Sequence, residues 1–200
     1  MTAQLWITGD DATDRLLAED PFALLIGMLL DQQYPMEHAF AGPRKIADRF
    51  GTLDPAAIAD ADPDAFVEMA TTPPAIHRYG RSMAGRVQAV ARAVVDDYDG
   101  DVTRIWTDPG ASGEAPTGAE VMKRLNALPG FGAQKAQIFL ALLGKQRGVE
   151  PDGWREAAGH YGDDGSRRSI ADVTSAETLQ EVREFKKAQK AAAKTAKATK

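Results

Sequence analysis

The residues best suited to hold a ligand are Gly130 and Gly132, in the string Leu128-Pro129-Gly130-Phe131-Gly132-Ala133-Gln134-Lys135-Ala136. Glycine has no Cβ, so it accepts a positive φ without strain and lets a ligand approach the backbone closely. Pro129 stops the helix that precedes it, and a second helix is predicted to begin near Gly132. The first amides of that helix have no carbonyl to pair with, and the helix dipole makes their end positive. An anion fits there, and a phosphate above all. Lys135 adds a positive charge within the first turn, while Phe131 is predicted to pack back between the two helices. From the glycines alone, the plain alternative is an inert turn joining two helices.

Other residue types that could do chemistry are few. Glu150, Asp152 and Glu156 are carboxylates shortly beyond the second helix, and Pro151-Asp152-Gly153 also suits an ordinary turn. Gln32 and Gln33 end a strongly apolar helix. Tyr34 and Trp154 could stack on a planar ring, although aromatic side chains are more often core. His38, His77 and His160 are too scattered to suggest a metal triad. With no cysteine there is no disulfide, thiolate nucleophile or thiolate-ligated iron-sulfur cluster. No cofactor is expected.

The elements that must position these residues read as helices throughout. Asp20-Pro21, Asp54-Pro55 and Asp62-Pro63 each pair an N-cap with a first-turn proline. Phe22 to Leu30 is apolar nearly all round and should be a central buried helix. Residues 11–18 form a short helix, and Met36 to Phe50 is interrupted by Gly42-Pro43. Arg81 to Tyr98 carries Met83, Val87, Val90 and Val94 on one face. Thr117 and Glu120 form a capping box for the first helix of the hairpin, and Gly144 is a plausible C-terminal glycine for the second. Trp154 to Ala158 is a short helix, and Thr174 with Glu177 should cap the last one. The fold class is all-α.

The chain has 200 residues, 44% of them hydrophobic, enough for one sizeable core or two small lobes sharing a cleft. It has no apolar stretch of membrane-spanning length and no basic-then-apolar leader in Met1 to Asp11, so a soluble, intracellular protein is expected. The net charge is -5. Lys186, Lys187, Lys190, Lys194, Lys197 and Lys200 hold six of the 24 basic groups, which leaves 18 against all 29 acidic ones in residues 1–185. A polyanion can therefore be met only locally, with the lysine-rich end either an auxiliary electrostatic arm or a solvated, frayed helix end.

The hairpin string resembles the helix-hairpin-helix of the DNA glycosylase superfamily that includes endonuclease III, the adenine-mismatch glycosylases and the alkylbase glycosylases. Two upstream segments are similar to the same superfamily, in its order. Asp20-Pro21-Phe22 leads into Leu24-Leu25-Ile26-Gly27-Met28-Leu29-Leu30-Asp31-Gln32-Gln33, like the family's helix ending in Leu-Ser-Gln-Gln. His77-Arg78-Tyr79-Gly80-Arg81-Ser82-Met83-Ala84 looks like its turn into a basic helix. The likeness spans roughly residues 20–158 and suggests a compact, actinobacterial-type member without the iron-sulfur cluster.

That resemblance implies a two-lobed helical fold, one lobe from about 20–117 and the other from the N-terminal segment plus 118–185, followed by a 186–200 tail that is disordered or a frayed helix. It implies a base excision repair protein whose partner is double-stranded DNA with a damaged or mismatched base flipped from the stack. Gly130, Phe131, Gly132, Gln134 and Lys135 would meet DNA, and Gln33 would enter the gap left by the flipped base. Bifunctional relatives place an imine-forming lysine where this chain has Gln134. Lys135 follows it, and one residue turns a helix by about 100°, so the resemblance implies a monofunctional DNA N-glycosylase, a hydrolase without lyase activity. The family aspartate, eighteen residues beyond Gln134, falls on Asp152, which is then either the catalytic carboxylate or a turn residue. The alternative is a non-catalytic relative that binds DNA and has lost glycosylase activity. A cytoplasmic, nucleoid-associated monomer with no membrane contact is expected.

Overall fold

Apolar residues at helical spacing, punctuated by Asp-Pro and Gly, fold into helices alone among the residues that the computed structural model describes, 4–198. The side chains of 190 and of 193 onward lie outside that description, as does Lys200. In order the helices are α1 (Asp11–Glu19), α2 (Pro21–Leu30), α3 (Met36–Phe40), α4 (Gly42–Phe50), α5 (Pro55–Asp60), α6 (Pro63–Thr71), α7 (Gly80–Tyr98), α8 (Arg104–Thr107), α9 (Gly118–Ala127), α10 (Ala133–Arg147), α11 (Trp154–Ala158) and α12 (Ala176–Ala198). Short 3-10 turns lie at Gly159–Tyr161 and Ile170–Asp172.

The caps follow from the sequence. Asp20 Oδ1 accepts from the amides of Phe22 and Ala23 at 2.8 and 3.0 Å, and Pro21 opens α2. Asp54 and Asp62 do the same for α5 and α6. The Thr117–Glu120 capping box forms at the start of α9. Two expected ends move. α10 runs past Gly144 to Arg147 and closes on Gly148, at φ 67°. α12 is capped by Ser175, whose Oγ accepts from the Thr178 amide, and not by Thr174. The backbone of α12 stays helical through Ala198, so the lysine-rich segment continues the helix as far as it is described.

α2 is buried from Phe22 to Leu30 and packs on α1, α3, α4, α7 and α10. On one side α5 and α6 lie against α7, with α4 against α6; on the other α9, α11 and both 3-10 turns lie against α10. Gly144 is explained by this packing. A Cβ there would sit 2.6 Å from the Trp154 ring, which covers the middle of α10 and ties α11 to it. Trp154 is therefore core, at 6% exposure.

Short helices leave many carbonyls unpaired, and donors from neighbouring helices satisfy them. Arg49 reaches Met69, Thr72 and Pro74 at the end of α6, and Gln88 reaches Ile58 and Ala61 at the end of α5. Arg124 reaches Ile105, Asp108 and Pro109, and Arg147 reaches Ala18. Three arginines of an acidic chain are thus engaged by carbonyls of its own fold.

Candidate nucleic-acid interface

The turn between α9 and α10 is the expected hairpin. Gly130 takes φ 79°, whereas Gly132 is extended, at φ -90° and ψ 171°. Only the first glycine therefore needs the left-handed region. Phe131 is 5% exposed and meets Phe139 edge-on, so it locks the hairpin from inside and can offer a ligand only its backbone. Gly130, Gly132, Ala133 and Gln134 are exposed. No side chain caps α10, and the first intrahelical bond is that of Ala136 to the Gly132 carbonyl. The amides of Ala133, Gln134 and Lys135 consequently face outward without a partner, at the positive end of a 15-residue helix.

The hairpin opens onto a cleft of about 810 Å³. Its other walls come from the end of α2 and the turn after it, and from α12. Lys135 lies in this cleft, contrary to the rotation expected from its place one residue past Gln134. Its ammonium reaches back to the Leu29 carbonyl at the C-terminal end of α2, tying hairpin to cleft floor. Burial pushes that ammonium down to about 8; Asp31 opposes the shift and Arg86 adds to it. Gln134 is more exposed and donates to the Tyr161 hydroxyl at 2.8 Å.

Gln33 caps the far rim of the cleft, exposed and in a left-handed conformation at φ 53°. That conformation is held from three sides. Arg86 donates to the Gln32 side chain at 2.6 Å, Arg78 to the Gln33 side chain at 3.2 Å, and His77 Nε2 to the Gln32 carbonyl at 3.1 Å. His77 Nδ1 accepts from the Tyr79 amide at 3.0 Å, which fixes the neutral ring with its proton on Nε2. Tyr34 packs on that ring, with centroids 4.5 Å apart, and its other side lines the cleft.

His77 is 1% exposed, and its burial, with Arg78, Lys135 and Arg86 adding to the effect, pushes its pKa below the ordinary 6.5 despite the bond to Gln32. A histidine kept neutral in the fold stabilises it above the unfolded value, and this stability is lost as pH falls through the lowered folded value. Urea midpoints should therefore decline as pH drops below 6.5. The variant His77→Asn should be less stable at neutral pH and should lack that part of the decline.

Asp152 is not brought to the cleft. Its carbonyl accepts from the amide of Gly118 at 2.7 Å, at the start of α9, whereas the hairpin follows the end of α9. It also lies beyond the far end of α10, which is roughly 22 Å long at 1.5 Å per residue. Its side chain is exposed in a turn before α11, and Glu150 before that turn and Glu156 within α11 are exposed too. The carboxylates that do line the cleft are Asp31 and Glu37. Asp31 is 14% exposed at its side chain and lies 3.6 Å from the Lys186 ammonium. The signal for it was an acidic residue where the similar family string has serine, immediately before the paired glutamines.

Among the described residues no helix is long and apolar enough to cross a membrane, and no three His, Asp or Glu residues are grouped to hold a metal. No curated protein matches the chain. Residues 26–199 match the model of the HhH-GPD superfamily of base excision DNA repair proteins, a span that holds both the cleft and the hairpin. With an all-helical fold and a helix-hairpin-helix whose amides face outward, the chain belongs to the HhH-GPD superfamily.

Proposed function

We propose that this protein is a monofunctional DNA N-glycosylase that removes a damaged or mismatched base from a duplex. The observation that carries the reading is the junction of the unpaired amides of α10 with an 810 Å³ cleft, roomy enough for an everted nucleotide. The amides of Ala133, Gln134 and Lys135 hold a backbone phosphate, and Gly132, where a Cβ would meet nothing within 4 Å, leaves space for it. Gln33, braced by Arg78, enters the gap left by the everted base. The segments 20–117 and 118–185, the latter with the N-terminal segment, act as two lobes that grip the duplex from either side.

Cleavage of the glycosidic bond leaves positive charge on the sugar, and a carboxylate beside it lowers the barrier. We assign that part to Asp31, which lies in the cleft, over Asp152, which matches the family spacing alone. Lyase chemistry through an imine is not expected, because Gln134 has no amine and the Lys135 ammonium is engaged by the Leu29 carbonyl.

The test is incubation with duplexes that each carry one damaged or mismatched base. Free base should be released from at least one of them, and the strand should stay uncut until alkali is added. Salt-sensitive binding without release from any lesion would instead favour a non-catalytic DNA-binding relative, the reading that the position of Asp152 outside the cleft motivates.

A further inference from the structure

We infer that the face of α12 and its lead-in formed by Arg168, Arg183, Lys186 and Lys187 is a second phosphate-binding wall of the cleft that the hairpin lines, and that Glu37 competes with DNA for it. The inference rests on the reading of the hairpin as a DNA contact. Three observations lead to it.

The first is position. These four residues line the same cleft as Gly130, Gly132 and Lys135. A strand whose phosphate sits on the α10 amides enters a cleft that these cations also line.

The second is charge. Residues 1–185 carry 18 basic against 29 acidic groups, whereas 186–200 carry six lysines and no acid. Of the basic groups in the body, Arg49, Arg124 and Arg147 are committed to carbonyls. The segment from 186 onward is therefore where the chain concentrates positive charge without acid.

The third is how these cations are held. The Arg183 guanidinium pairs with Glu37, and Lys186 lies 3.6 Å from Asp31. Arg183 is 51% exposed at its side chain, and an ion pair so open to water contributes little. Arg168 rests over the Phe185 ring, 5.4 Å from its centre, and Lys187 is exposed. The carboxylates thus seat α12 on the cleft, and a phosphate can replace Glu37 at small cost.

The experiment measures the affinity of the full chain for a fluorescently labelled duplex carrying a tetrahydrofuran abasic analogue, as a function of salt. Each phosphate contact adds about 0.9 to the slope of log K against log[salt], roughly threefold in affinity between 50 and 200 mM. Arg183→Gln and Lys187→Gln should each lower the slope by about that amount and weaken binding. Glu37→Gln should do the opposite and tighten binding by a few-fold, because it frees Arg183. Opposite signs for Arg183→Gln and Glu37→Gln support the inference, since a merely structural ion pair makes both variants fall together with their melting temperature. Parallel losses, or no change in either while Gly132→Val loses affinity, overturn the second wall and leave the hairpin reading standing. If neither the wild type nor any variant binds with a salt slope, both fall.

Discussion

Asp31→Asn is expected to lower the single-turnover rate of base release by about 100-fold, the scale on which loss of one electrostatic stabiliser acts in an active site. Duplex affinity should hold or rise, because the substitution removes a negative charge from a cleft that receives phosphates. The expectation follows from placement. Asp31 caps the end of α2 within the cleft, with Lys186 on one side and the field of Lys135 on another. Asp152→Asn is expected to leave the rate within about twofold, since the residue touches nothing in the cleft. A large loss for Asp152→Asn with Asp31→Asn unaffected would return the catalytic role to the residue that spacing alone selects.

A comparably large effect, on stability, is expected at Lys145 and Asp172. Asp172 Oδ1 accepts from the Lys145 ammonium at 2.7 Å, and its other oxygen takes the amides of Arg168 and Ser169 and the Ser166 hydroxyl. The Asp172 side chain is 2% exposed. Lys145→Met would leave that carboxylate buried and unpaired, at a cost of about 3–5 kcal/mol. For a chain of this size that is a fall of roughly 6–20 °C in Tm, readable by circular dichroism. Asp172→Ala should do at least as much harm, because it orphans two amides as well. The same network shapes the segment that delivers α12 to the cleft, so weaker duplex binding should accompany the loss. A fall under about 2 °C would mean that the pair is not holding this segment.

Much of the fold is legible in the residues. The Asp-Pro pairs set the starts of α2, α5 and α6 through local bonds, and such bonds need no tertiary context. The buried α2 is plain from its unbroken apolar run. Ends set by packing are less legible: Gly144 resembles a helix terminus in sequence, yet it serves to admit the Trp154 ring. The same division holds for the cleft. Gly130 announces the hairpin because its positive φ demands that type, and Phe131 because an aromatic ring there packs back on the second helix. Lys135 shows the limit of helical rotation as a guide, since a long flexible side chain can reach back to Leu29 from a position whose Cα points elsewhere. Asp31 and His77 act through partners far away in sequence. The α12 wall is least legible of all, because nothing local in α12 says that it returns to Asp31 and Glu37, about 150 residues earlier.

The central claim is that the α10 amides hold a DNA phosphate at the mouth of the cleft. Gly132 tests it most directly, because a Cβ there meets nothing within 4 Å and φ is ordinary, so Gly132→Val should fold, at a cost of about 1 kcal/mol for a poorer N-cap. The deciding measurement is duplex affinity against salt for the wild type and this variant. Wild-type affinity should fall linearly in log K with log[salt], and the variant should bind damaged and undamaged duplexes more weakly by the same factor, with a shallower slope. Equal affinity and equal slope for the two proteins, with the variant fully folded, would contradict it.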